Sequence, residues 1–154
     1  MANENRFFLR FSIEGIPELD RILYETYEKL SNFKEPLQKA SDLILKDVEV
    51  NFLTEGSLAG GWRPLARSTV EGRLRGGFGG EHPILQRTGK LRKSFYSRVT
   101  NTKAVVTSRS SYFVYHQSRL PRTKLPRRAM LLLTERTRQN VVQEFREFLR
   151  FKTL

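Results

Sequence analysis

Residues 36–56 read PLQKASDLILKDVEVNFLTEG, and this stretch decides the fold class. Its apolar side chains recur at the spacing of an α-helix that begins at Pro36 and is closed by Gly56. One face carries Leu37, Ala40, Ile44, Val48 and Phe52. Leu43 and Leu45 widen that face, so the pattern predicts a helix with contacts on two sides.

The flanking segments predict the other elements. Residues 7–13 alternate apolar and polar side chains, which is typical of a strand, and Pro17 begins a helix over about 17–32. Residues 95–100 and 103–108 predict a β-hairpin, and Thr134 is the expected N-cap of a last helix. The pattern predicts an α+β fold: a small antiparallel sheet packed against two or three helices, with long Gly-rich and Pro/Arg-rich loops.

A length of 154 residues predicts one domain over 1–154. Its expected parts are an N-terminal strand (1–16), a helical part (17–56), a mobile Gly-rich loop (57–82), a hairpin and basic loop (83–133) and a C-terminal helix (134–154). Within the Gly-rich loop, residues 68–75 have the composition for one or two helical turns. The short apolar runs 112–116 and 130–133 fit either strands or helix starts.

Charge is distributed unevenly along the chain. Lysine and arginine total 28 against 16 acidic residues, a net charge of +12. Residues 1–62 contain 7 basic and 11 acidic side chains, whereas residues 63–128 contain 16 basic and 2 acidic ones. The middle segment is therefore expected to meet an acidic partner, either nucleic acid or an acidic protein face.

The sequence gives little support to catalysis. Cysteine is absent, the two histidines (His82 and His116) are far apart in sequence, and Lys90 lacks the glycine pattern of a phosphate loop. We therefore expect no catalytic residues, no cofactor and no metal site. The start of the chain lacks the apolar segment of a secretory signal, and no window is apolar enough to span a membrane, so a soluble protein without a membrane partner is expected.

Two groups of residues are candidates for contacts with partners. The first group, predicted to bury apolar area at a partner or ring interface, is Trp62, Leu65, Phe78, Tyr112 and Tyr115. The second group, a basic contact loop for an acidic partner or DNA phosphate, is Arg119, Arg122, Lys124, Arg127 and Arg128. The alternatives are a core position for Trp62 and a solvated loop for the cations.

A series of motifs runs through residues of about 37–150: Trp62-x-Pro64-Leu65, Thr69, Arg73, Pro83-Ile84-Leu85-x-x-Thr88-Gly89-x-Leu91-x-x-Ser94, Tyr112, Tyr115-His116-Gln117 and Pro126-x-Arg128-x-x-Leu131. Their order and spacing resemble the phage virion-morphogenesis (tail-completion) family. The chain departs from the family at Ser118-Arg119, where a glycine is usual, and at Ala129-Met130, where a bulky aromatic is favoured.

This resemblance implies a non-enzymatic virion protein that joins or completes the tail at the neck. Expected partners are further copies of the chain in a ring, with a hexamer as one candidate, adjacent neck, tail-terminator or connector proteins, and genomic DNA passing through the channel. The expected location is the phage neck or tail, after synthesis in the host cytoplasm. The alternative is a free-standing, sequence-independent nucleic-acid-binding protein.

Overall fold

A computed structural model describes residues 17–119 and 125–150 of the chain. Its helices are α1 (Pro17–Ser31), α2 (Lys34–Leu53), α3 (Arg67–Arg75), α4 (Phe113–Gln117) and α5 (Glu135–Leu149), with 3-10 turns at Ser57–Ala59 and Arg92–Ser94. The strands are β1 (Phe95–Val99) and β2 (Ala104–Ser108). The predicted α+β class is confirmed.

Length alone predicts one domain, whereas the chain divides into two compact units after Ser31. In the first unit, the described element is α1, which begins at Pro17 as predicted. Tyr24, Tyr27 and Leu30 are all exposed on this helix. A helix of 15 residues is too short to bury a core of its own. The predicted strand over 1–16 lies outside the described residues.

In the second unit, α2 is the central element, and both β-strands and α5 pack against it. Pro36 occupies its first turn, where the missing N–H costs nothing. After the helix, Gly56 adopts a left-handed conformation (φ +90°) and its N–H donates to the Asn51 carbonyl. This turn reverses the chain and brings Trp62 back against the end of α2.

The hairpin forms where the sequence predicts it. β1 and β2 are antiparallel, with Phe95 opposite Ser108 and Val99 opposite Ala104. The Thr100 N–H donates to the Lys103 carbonyl at 2.8 Å, which closes a four-residue connection. Residues 101 and 102 do not take positive φ, so the turn needs no glycine.

The core of the second unit lies between α2, the hairpin and two extended segments. Its buried apolar side chains are Val48, Phe52, Trp62, Ile84, Leu91 and Met130. Phe52 makes edge-to-face contacts with Trp62 (ring centroids 5.4 Å apart) and Phe95 (5.9 Å). Aromatic pairs of this geometry add about 0.5–1.5 kcal/mol to the burial of their area.

The terminal helix α5 begins with the predicted cap, since the Thr134 side chain accepts a hydrogen bond from the Thr137 N–H. It is held to α2 by an ion pair between Lys39 and Glu144 (3.3 Å). It ends at Leu149, and residues 151–154 of the predicted helix lie outside the described range. None of the helices in the described part of the chain is long and apolar enough to cross a membrane.

Within the segment 57–82, predicted as a mobile Gly-rich loop, the one or two helical turns expected at 68–75 are confirmed. The segment contains a 3-10 turn and the nine-residue helix α3, and it contributes two buried side chains, Trp62 and Arg73. The ambiguous run at 112–116 forms most of the short helix α4, whereas residues 130–133 are extended without a strand partner among the described residues.

Candidate functional site: a cationic apolar groove

The segment 129–131 directly follows Arg128, a residue of the site, and its backbone is bonded by side chains from distant parts of the chain. Trp62 Nε1 donates to the Ala129 carbonyl at 2.9 Å, and Asn51 Nδ2 donates to the Met130 carbonyl at 3.1 Å. The Gln117 amide donates to the Leu131 carbonyl and accepts from the N–H groups of Met130 and Leu131. These bonds replace the sheet partner that the segment lacks among the described residues.

Two buried arginines fix the loops beside this segment. Arg128 is 4% exposed and donates from Nε to the Arg63 carbonyl (2.9 Å) and from Nη2 to the Pro64 carbonyl (2.8 Å). Burial lowers the pKa of Arg128. Arg73 is 3% exposed and donates to the carbonyls of Pro83 (3.2 Å) and Phe78 (3.3 Å). Its buried Nε has no partner among the described residues.

Between these arginines lies an open cavity of about 640 Å³, which we call the groove. Its apolar lining is Leu65, Ala66, Leu85, Leu91, Leu125 and Pro126. Its polar lining is Thr69, Arg73, Arg87, Thr88, Tyr112, His116 and Arg128, and Gly72 completes the lining. None of these described lining residues is acidic. The groove therefore offers an apolar floor surrounded by positive charge, which suits a ligand with apolar and anionic groups side by side.

His116 keeps its neutral form in this environment. Burial lowers its pKa, and the neighbouring charge of Arg128 lowers it further. Its Nδ1 atom is buried without a partner among the described residues. A neutral imidazole adds no charge to the groove near pH 7, so the positive character comes from the arginines.

The predicted apolar contact residues fall into three settings. Trp62 is 7% exposed, so its assignment to an interface is wrong: its ring packs on Phe52 in the core, and its N–H is bonded within the chain. Leu65 and Tyr112 line the groove, and Tyr112 is 49% exposed. Phe78 and Tyr115 are exposed outside the groove lining, and the Arg87 guanidinium lies 4.3 Å from the Phe78 ring centroid.

The predicted basic loop is likewise divided. Arg119 and Arg127 are exposed, and Arg127 Nε also donates to the Gln117 carbonyl at 3.2 Å. Arg128 is not a free surface cation, which corrects its assignment, because two backbone carbonyls already accept its N–H groups. Arg122 and Lys124 lie outside the described residues.

Charge counting alone did not identify Arg73 and Arg87 as groove residues. Arg73 is one of 16 basic residues in a strongly cationic segment, and nothing in its local sequence distinguishes it from exposed neighbours. The available signal was its place in the motif series, together with Trp62, Gln117 and Arg128. In the structure these motif residues support the groove and the segment 129–131.

No cluster of three histidine, cysteine, aspartate or glutamate side chains that would hold a metal ion occurs in the described residues. The other histidine, His82, lies apart from the groove, with Nδ1 2.6 Å from Glu55 Oε2. The second oxygen of Glu55 accepts from the Ile84 N–H at 2.8 Å, so this carboxylate holds the chain after Gly80 in place. His82 is thus paired with Glu55, and His116 lines the groove.

Comparison with known proteins does not assign the chain to a family: no protein-family model, curated protein or solved structure matches it. Inferences about function therefore depend on the residues and on the groove.

Proposed function

We propose that this chain is a structural virion protein of a tailed phage that joins or completes the tail at the neck, as one subunit of a homo-oligomeric ring. The observation that carries the proposal is the groove: an open, apolar cavity of about 640 Å³ with three arginines and no acidic residue in its described lining. A cavity of this kind is a ready docking site for a partner, and ring subunits need one patch that receives a different patch of the next copy.

The distribution of charge supports the same function. The N-terminal 62 residues carry an excess of acidic side chains, and the segment that builds the groove carries a large basic excess. Opposite charges on different parts of one chain favour association of copies through unlike patches, as the head-to-tail contacts of a ring require. The resemblance of the motif series to tail-completion proteins supports the phage neck as the place of this association.

The test is the mass of the purified full-length chain, measured by light scattering alone and after mixing with tail tubes that lack it. We expect a stoichiometric ring on the tube end, visible by electron microscopy. A chain that stays monomeric in both samples and leaves the tube ends bare would overturn the proposal.

A sequence-independent nucleic-acid-binding protein is the second candidate. It is favoured by the exposed basic side chains of the described part of 63–127: Arg63, Arg67, Arg75, Arg87, Lys90, Lys93, Arg98, Lys103, Arg109, Arg119 and Arg127. Tight duplex binding at physiological salt, with log affinity falling by about 0.9 per contacted phosphate for each tenfold rise in salt, would support it. Weak binding by the isolated chain would favour the ring.

A further inference from the structure

The lining of the groove restricts the chemistry of its occupant. A duplex presents a continuous row of phosphates, which would leave the leucine floor in contact with charged groups. Two of the three arginines, Arg73 and Arg128, already donate N–H groups to backbone carbonyls. They therefore contribute positive electrostatic potential to the groove more than free hydrogen-bond donors. An occupant with aromatic or aliphatic side chains next to carboxylates would match both the apolar floor and the positive charge of the groove.

The helix α1 has this chemistry. Tyr24, Tyr27 and Leu30 are 65%, 68% and 57% exposed, and their spacing of three residues forms an apolar stripe. Glu28 follows Tyr24 by one helical turn, and Glu25 is exposed beside it. The helix contains four acidic and two basic residues and is about 22 Å long at 1.5 Å per residue. Amphipathic helices commonly bind by laying such a stripe in an apolar groove.

We propose that the groove of one copy receives α1 of a second copy, with the tyrosines on the leucine floor and Glu28 facing the arginines. This inference rests on the proposed function and names the two surfaces that meet in the ring. The contact is heterologous, because a helix of one subunit meets a groove of another, and its repetition closes a ring when the rotation between successive copies closes.

Disulfide trapping tests the contact directly, because the chain contains no cysteine of its own. One copy carries Glu28→Cys, and a second copy, with a different affinity tag, carries Thr69→Cys at an exposed position of the groove lining. The matched control replaces Thr69→Cys with Arg138→Cys, which is exposed on α5 outside the groove lining. Both pairs are oxidised in solution and on tail tubes.

We expect a mixed disulfide dimer from the Glu28/Thr69 pair at least about tenfold above the Arg138 control, in free oligomers or in tube-bound rings. A single chain carrying both Cys substitutions is expected to give a ladder of covalent multimers. A monomeric intramolecular disulfide from that chain, or a yield equal to the control in both settings, would overturn the proposal.

Charge reversal tests the same contact without cysteine. The variant Glu25→Lys/Glu28→Lys changes α1, and Thr69→Glu/Arg87→Glu changes exposed residues of the groove. We expect each variant alone to lose self-association by about tenfold or more, and a mixture of the two to form assemblies in which the variants alternate in a 1:1 ratio, since the altered helix meets the altered groove and the unaltered helix meets the unaltered groove. Arg138→Glu is the control and should associate like the unaltered chain.

The two proposals fail in different ways. Rings that form on tube ends without the specific disulfide, and that survive both charge reversals, would refute the α1 contact and leave the proposed function standing. Absence of rings together with absence of tube binding would refute the proposed function. Circular dichroism of each variant establishes that it is folded before either result is counted.

Discussion

Substitution of Gly56 by alanine tests how the turn after α2 sets the position of Trp62. Gly56 has φ +90°, and an added Cβ would lie 2.5 Å from Nε1 and 2.6 Å from Cγ of the Trp62 ring. The ring cannot retreat freely, because it packs on Phe52 and donates to the Ala129 carbonyl. The left-handed backbone costs about 1–2 kcal/mol for alanine, and forced overpacking adds about 1–3 kcal/mol. We expect a loss of about 3 kcal/mol in the free energy of unfolding.

Gly61→Ala is the matched control. Gly61 has φ +87°, almost the same backbone conformation, but no described atom lies within 4 Å of a Cβ built there. The free energy of unfolding of Gly61→Ala should fall by about 1 kcal/mol because of the backbone alone, and the lower entropy of the unfolded alanine chain offsets part of this loss. The difference between the two variants, about 2 kcal/mol, isolates the clash with Trp62.

Urea unfolding provides the assay, because Trp62 is the one tryptophan of the chain and is buried. Its fluorescence therefore reports the loss of the core. With a urea slope of about 2 kcal/mol per molar, the midpoint of Gly56→Ala should fall about 1 M below that of Gly61→Ala. Equal midpoints for the two variants would refute the argument that this glycine makes room for the indole.

Three further predictions concern single side chains. Thr134→Ala should lower the free energy of unfolding by about 1 kcal/mol through loss of the α5 cap, and Thr134→Ser should restore most of it in the same urea assay. Asn51→Ala should cost about 2–3 kcal/mol, because the buried Met130 carbonyl loses its donor; a cost below 1 kcal/mol would mean that this bond is not needed. Proton NMR titration should place the pKa of His116 below its ordinary value. Because folding lowers that pKa, the contribution of His116 to stability is present above about pH 6.5 and falls as the pH drops, and His116→Gln should remove this dependence.

Local patterns in the sequence predicted the local elements. The positions of α1, α2 and the hairpin follow from apolar periodicity, proline at a first turn and β-prone residues around a short connection, although α2 begins at Lys34, two residues before the predicted Pro36, and ends at Leu53. The α5 cap could be predicted for the same reason, since the Thr134 side chain accepts a hydrogen bond from the Thr137 N–H, only three residues away. These signals depend on neighbours along the chain, so they need no knowledge of the tertiary structure.

Long-range contacts explain what the sequence did not predict. Trp62 and Arg128 were assigned to contact surfaces because a lone tryptophan and a basic run are typical of interfaces, but both are buried. Their burial depends on carbonyl acceptors 67 residues away for Trp62 and up to 65 residues away for Arg128. The groove was not foreseen for the same reason, since four separate segments build its lining. Composition did not predict the burial of Arg73, whose N–H groups donate to the carbonyls of Phe78 and Pro83.

The way the segment 129–131 is held has a consequence for the order of folding. Its backbone is the common acceptor for side chains at 51, 62 and 117, so the core cannot close until residue 131 has been synthesised. Most of the chain must therefore leave the ribosome before the second unit becomes stable, because these bonds join residues up to 79 positions apart. These bonds go to main-chain atoms, which substitutions other than proline retain, so substitutions in the segment are limited by the packing of the buried Ala129 and Met130 side chains and not by loss of the bonds.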